Sequence, residues 1–263
     1  MFRLRSSRLR QALLRNAATA VVLAAITVIP AAFAQAPTQA ADALRIAVFG
    51  ASGRVGSRIV TEALNRGHEV TGISRSLESL TEDNPRFSKA QGDVTDAASV
   101  AELAAGHDVV VSAIGGSNED SDDPAQSIPA QAGRALVAGL RSLGAGAPRL
   151  IVVGGGSTTL ESSPGVPIDD PTDVPTGARA ARIRGHRVVL DLLKTVTDIR
   201  WTFFSPALEM RPGERTGKFR VGGSVVIRDA EGNSAISMED FAIAMIDEIE
   251  NPRHIRQQMT VAY

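Results

Sequence analysis

The residues of this chain best placed to hold a phosphate are three glycines in the run Gly50-Ala51-Ser52-Gly53-Arg54-Val55-Gly56. They follow the apolar stretch Leu44 to Phe49 and precede a helical stretch, Ser57 to Arg66, the order of strand, glycine turn and helix that a dinucleotide site requires. Gly50 permits the tight turn, Gly53 lets the backbone approach a pyrophosphate, and Gly56 lets the helix pack closely on the strand. The free N–H groups of the helix start would face the diphosphate, so the whole run from Gly50 to Gly56 is expected to bind it.

The second strand, His68 to Ile73, ends at Ser74-Arg75. An NAD-selective site places an acid there to accept from the ribose 2′-hydroxyl, whereas an arginine pairs with a 2′-phosphate. Ser74 and Arg75 therefore point to NADPH, with NADH as the alternative. Three later strands carry clues at their carboxyl ends. Phe87 to Gly92 leads to Asp93-Val94, where a carboxylate could accept the adenine amino group. Asp108 to Ile114 leads through Ala113, Ile114 and Gly115 to Gly116, where bare backbone could border the nicotinamide ribose. Arg149 to Val153 leads to the turn Gly154 to Thr158. All three read as apolar runs buried on both faces of a parallel sheet. A sixth strand, Ile199 to Phe204, precedes Ser205-Pro206-Ala207, again where a nicotinamide would be approached.

These groups need an α/β frame to hold them. The alternation of strands and helices over residues 44–263 predicts a single Rossmann-type domain with a doubly wound parallel sheet, whose ligands bind beyond the strand ends. Helices are expected at about 130–143 and 177–197, and a β-rich segment running to Ile236 forms a small C-terminal substrate-side lobe. Ser237 with Asp240 three residues on is an acidic variant of the capping box. The acidic loop 117–124 lacks the central glycine and distal glutamate of a calcium loop and reads as solvated. The proline-rich crossing 163–176, with Asp169, Asp170 and Asp173, is expected as an irregular connection or a flap.

Composition excludes several other classes. The 263 residues include no cysteine, which removes disulfides and a thiol nucleophile, and the four histidines show no paired ligand spacing, so no metal is expected. Residues 1–41 hold five arginines and no acid, leaving 23 basic against 29 acidic groups in the remainder, a poor balance for binding nucleic acid. The arginines precede an uncharged apolar run ending in Ala32-Phe33-Ala34, the layout of a signal peptide, expected over 1–34 with a linker over 35–43. Export to the periplasm is the expected outcome; a cytoplasmic protein or an N-terminal membrane anchor are the alternatives. Pro30 and the alanines make the run a weak span, so no stable membrane span is expected once it is removed.

Together these motifs resemble those of atypical short-chain dehydrogenase/reductases. They are closest to the NAD(P)H-binding group named for NADH-flavin reductases, related to flavin/biliverdin-IXβ reductases and nitrogen-metabolite-repressor-like proteins. The matching residues are GASGRVG at 50–56, GDVTD at 92–96, VSAIGG at 111–116, VVGGGST at 152–158, and the C-terminal runs at 201–223 and 236–254. The resemblance implies an NAD(P)H-dependent oxidoreductase, with a flavin-like or quinone-like small molecule as electron acceptor and flavin as substrate rather than bound cofactor. Ser157 stands where such enzymes often carry a serine and is the candidate catalytic residue. The departure is the missing general-acid dyad. The sole tyrosine is Tyr263 at the chain end, and Arg182 and His186 occupy the stretch where a tyrosine and a lysine four residues on would sit. Reduction of a ketone needs a proton donor; a conjugated acceptor spreads the charge, so a dyad-free site suits it better. The alternative is a non-catalytic NADP(H)-binding redox sensor.

Overall fold

A computed structural model describes residues 43–115, 122–157, 159–168 and 177–263. The leader, Gly116 and most of the acidic loop, Thr158 and the aspartates of the 163–176 crossing lie outside the described residues. Strand β1 (Arg45–Phe49) feeds helix α1 (Arg54–Asn65), which returns to β2 (Glu69–Ser74). Next come β3 (Phe87–Gln91), α2 (Ala97–Ala104), β4 (Val109–Ser112), α3 (Ile128–Ser142) and β5 (Arg149–Val153). A short hairpin of β6 (Glu161–Ser163) and β7 (Val166–Pro167) leads to α4 (Ala178–Lys194) and β8 (Trp201–Pro206). The chain ends with β9 (Glu209–Arg211), β10 (Arg220–Gly222), β11 (Ala235–Ser237), α5 (Met238–Glu250) and β12 (Gln257–Ala262).

Eight strands form one sheet in the order β10-β12-β8-β5-β4-β1-β2-β3, parallel throughout except where β10 runs antiparallel to β12. This is the Rossmann-type doubly wound fold, with strand order reversing between β1 and β4. Alternate side chains supply two cores. Ile46, Val48, Val109, Val111 and Ile151 pack under α1 and α5; Ala47, Phe49, Val110, Leu150 and Val152 pack under α2, α3 and α4.

Three expectations change. Strand β3 is not buried on both faces: Ser88, Lys89 and Gln91 are exposed, because β3 is the sheet's edge and has a neighbour on one side only. Strand β8 runs two residues further than the apolar run suggested, taking in Ser205 and Pro206, since β12 pairs with it along Thr260 and Val261. Part of the C-terminal lobe joins the main sheet as β10, while β9 and β11 form a separate parallel pair.

Ser237 caps α5 as expected, its Oγ accepting from Asp240 N at 2.9 Å. The carboxylate of Asp240 does not reach back to the cap. It accepts instead from Thr216 N (2.7 Å), Gly217 N (2.8 Å), Thr216 Oγ1 (2.5 Å) and the Tyr263 hydroxyl (3.0 Å), pinning the 213–217 loop and the chain end onto α5.

At the amino end of the central strand β5, the buried Arg149 guanidinium meets the buried Glu248 carboxylate. Arg149 also donates to Glu248 O (2.7 Å) and Thr202 Oγ1 (2.8 Å), and Glu248 accepts from His254 Nδ1 (2.8 Å) and from the N–H groups of Arg253 and His254 (both 3.0 Å). Burial works against the Glu248 charge, but the His254 and Arg149 contacts overcome it and hold the carboxyl below its ordinary range. Glu248→Ala strands a buried guanidinium and is expected to lower the unfolding free energy by about 3–5 kcal/mol. Glu209→Ala, which breaks an exposed pair with Arg211, should cost under ~1 kcal/mol. Urea denaturation of both variants checks the contrast.

Candidate functional site

The strand-order reversal between β1 and β4 leaves a cleft of about 390 Å³ at the carboxyl ends of the strands. The glycine turn forms one wall. Gly50 has φ +82°, its N–H donates to Ile73 O (3.1 Å), and its carbonyl accepts from Gly53 N (2.9 Å). Helix α1 begins directly after, with Gly53 at its N-cap, no side-chain cap and no acid in its first turn. Its leading N–H groups are therefore open to an anion. The cradle is one that side chains would fill: a Cβ on Gly50 would stand 2.7 Å from Ala113 O, and one on Gly56 2.1 Å from Gly50 O.

Of the residues singled out in the sequence, Gly50, Ser52, Gly53, Ser74, Arg75, Asp93, Val94, Ala113, Ile114 and Gly115 line this cleft together. Ala51, Val55 and Gly56 do not; Ala51 and Gly56 are buried and Val55 packs on the core beneath α1. Arg54 is exposed, and its carbonyl accepts from Arg58 Nη1 (2.7 Å). The cleft gains Phe49, Ile73, Gly92, Thr95 and Ile128, which sequence reasoning missed. Phe49, Ile73 and Gly92 end strands that the apolar runs had already located; Ile128 comes from the distant start of α3 and carries no local signal.

At the end of β2 the hydroxyls form a chain. Ser74 Oγ lies 2.9 Å from Ser79 Oγ and 3.4 Å from Ser52 Oγ, linking the glycine turn to the loop after β2. Arg75 beside them is exposed and enters no ion pair among the described residues. Asp93 Oδ1 accepts from Thr95 N (2.8 Å) and Thr95 Oγ1 (2.7 Å), which with the nearby Arg75 charge holds its carboxyl below the ordinary range.

The residues expected on the nicotinamide side separate. Ser157 is exposed after β5. Ser205 is fully buried, with its Oγ 2.8 Å from Thr159 Oγ1 and accepting from Gln258 Nε2 at 2.9 Å, so it supports the loop after β5 from beneath. Pro206 is buried inside β8, paired with Val261. Neither lines the cleft, because β8 continues through them. On α4, Arg182 Nη1 reaches Gly115 O at 3.5 Å. One turn later His186 faces a cavity of about 10 Å³ shared with Ser112, Ile114 and Val153, the lower limit for one water. His186 Nδ1 is buried without a hydrogen-bond partner among the described residues. Burial, and secondarily the Arg182 charge, push the imidazole down to about 4. His186 is thus neutral near pH 7.

Comparison with known proteins bears on the family and the fold. The family model described as NAD(P)H-binding matches residues 50–252. A crystal structure of a candidate exported protein from Burkholderia pseudomallei is 45% identical, with a TM-score of 0.71 over 84% of this chain and 100% of that one. A candidate epimerase from Bacteroides thetaiotaomicron is 37% identical, with a TM-score of 0.73 over 84% of this chain and 97% of its own. A candidate NADH-flavin reductase from Streptococcus pneumoniae TIGR4 is 30% identical, with a TM-score of 0.68 over 83% and 99%.

The depressed His186 pKa has a consequence for stability. Above pH 6.5 the imidazole is neutral in both folded and unfolded chains; between pH 6.5 and pH 4 only the unfolded chain takes up the proton. Stability is lost as pH falls through that window, by up to about 3 kcal/mol. Measured by urea unfolding, His186→Leu should remove this part of the acid sensitivity, so that its stability relative to the unaltered protein improves as the pH is lowered from pH 6.5 to pH 4.

Proposed function

The chain belongs to the NAD(P)H-binding family, and from that premise we propose that it is an NADPH-dependent reductase of flavin-like or quinone-like acceptors, acting without a tyrosine and lysine dyad. The glycine turn and the uncapped start of α1 hold the pyrophosphate. Arg75, with the Ser52, Ser74 and Ser79 hydroxyls, holds the 2′-phosphate; Val94 and Asp93 border the adenine; Ala113, Ile114 and Gly115 border the nicotinamide ribose. When bound, the reduced nicotinamide would supply a hydride, two electrons with one proton. Ser157, exposed after β5, orients the acceptor or the nicotinamide amide by a hydrogen bond, and Ser205 holds that loop in place through Thr159.

The acceptor class rests on one observation, the enclosure of His186 on α4, whose Nδ1 is buried with no hydrogen-bond partner among the described residues. A ketone becomes an alkoxide unless a proton arrives in the same step, and an imidazole with a pKa of about 4 carries none to give near pH 7. It is also a weak base for the stereocentre chemistry of an epimerase. A conjugated ring needs neither. The 30% identity to a candidate NADH-flavin reductase supports the same class.

Turnover of NADPH with added FMN, FAD or a quinone dye tests the reading. Saturable NADPH binding with no acceptor-dependent oxidation would favour a redox sensor instead. Cofactor choice is tested separately: Arg75→Glu should weaken NADPH binding by about one to two decades, the scale of a charge-assisted contact, and NADH binding little. Equal binding of both cofactors by the unaltered protein would contradict the assignment.

We propose further that the chain is exported and that its leader is removed after Ala34. Ala32 and Ala34 fit the cleavage-recognition positions, and the 45% identical relative is described as a candidate exported protein. Intact-mass measurement of protein made in its own host should show a chain beginning at Gln35; retention of Met1 would contradict this.

A further inference from the structure

Helix α4 presents a permanent cation to the end of β4. The partly buried Arg182 uses Nη1 on Gly115 O at 3.5 Å, the long limit of a hydrogen bond, and its guanidinium enters no ion pair among the described residues. A guanidinium carries five N–H donors, so most of its bonding capacity is left for solvent or a ligand. Gly115 itself lines the cleft. One helical turn away His186 shares this face, neutral and with Nδ1 unpartnered, and Ile114 lies between its small cavity and the cleft. The end of β4 thus faces one fixed positive charge and one uncharged imidazole, where a carbonyl reductase would need a proton donor.

We propose that Arg182 belongs to the acceptor site and that its guanidinium binds the reduced, anionic form of a conjugated acceptor more tightly than the oxidised form. The role rests on the acceptor class proposed above. In the reaction, the acceptor takes up two electrons and one proton together as a hydride: the C4–H bond of the reduced nicotinamide breaks, an N–H, O–H or C–H bond forms on the acceptor, the nicotinamide is oxidised, and the acceptor is left one unit more negative. The neutralising proton comes afterwards from solvent. On a conjugated ring that charge is spread, and a positioned cation stabilises it without moving a proton. Arginine suits the task because it keeps its charge at every working pH and offers a planar fork to a ring edge bearing nitrogen and oxygen acceptors.

Equilibrium binding decides the proposal independently of turnover. Lumiflavin, which lacks a phosphate, and FMN are titrated anaerobically above neutral pH in their oxidised and chemically reduced forms, against the unaltered protein, Arg182→Met and Arg182→Lys. The unaltered protein should bind reduced lumiflavin about tenfold or more tighter than oxidised, the scale of one charge-assisted hydrogen bond. Arg182→Met should abolish that preference and Arg182→Lys retain part of it, while NADPH affinity and the urea midpoint stay unchanged. In single turnovers with NADPH and lumiflavin, Arg182→Met should be slower by on the order of 10²-fold. An unchanged preference in Arg182→Met overturns the proposal. A loss confined to FMN also overturns it, because the arginine then reads the phosphate. A joint fall in NADPH affinity and urea midpoint overturns it in favour of a structural role through Gly115. Absence of turnover with every acceptor overturns the functional reading, while the reduced-against-oxidised preference still decides the role of Arg182.

Discussion

A Cβ on Gly56 would lie 2.1 Å from the carbonyl oxygen of Gly50 and 2.8 Å from its carbonyl carbon, distances that no side chain tolerates against backbone. The first turn of α1 therefore sits almost in contact with the turn leaving β1. The approach requires glycine at both places, because Gly50 must also adopt φ +82° with the Ala113 carbonyl against it. From this one contact follow the aim of the helix N–H groups at the turn, the depth of the cleft, and the position of the end of β4 across it.

The rest of the fold holds α1 at that height. On its outer side Arg66 donates to Glu62 (2.8 Å), Asp247 (2.7 Å) and Glu250 (2.8 Å), and Arg215 grips the same buried Glu62 (2.8 Å), so α1, α5 and the loop before β10 are tied by one ionic network. Burial alone would raise the Glu62 pKa; the bonds from Arg215 and Arg66 outweigh it, and the carboxyl stays ionised. Arg58 adds a bond to Glu239 at the start of α5 (2.6 Å). Helix α5 is in turn fixed by Asp240 and the C-terminal tyrosine, so the last residue of the chain helps to position the first helix of the nucleotide site.

On helix α4 the fold settles charge rather than shape. Helix α4 carries Arg182 and His186 four residues apart, both partly buried, and its packing encloses the imidazole Nδ1 while leaving the guanidinium against the Gly115 carbonyl. Burial removes the histidine's proton at neutral pH, whereas arginine cannot lose its own.

The strand, glycine and helix order at residues 44–66, the pairing of Ser74 with Arg75 and the turns after β4 and β5 were legible in the sequence because each is a local signal: periodicity, backbone freedom or a charge at a fixed offset. The family and the Rossmann-type sheet follow from those local signals repeated along the chain. Tertiary structure alone decided what depended on distant partners. Strand β3 is exposed because nothing lies beyond it; Ser205 and Pro206 are drawn into the sheet because β12, over fifty residues later, supplies hydrogen bonds alongside them. Asp240 turns from its cap to Thr216, Gly217 and Tyr263, and His186 becomes neutral because burial outweighs its intrinsic basicity. Neighbours in sequence set backbone conformation, but burial, edge position and protonation are set by atoms that only folding brings near.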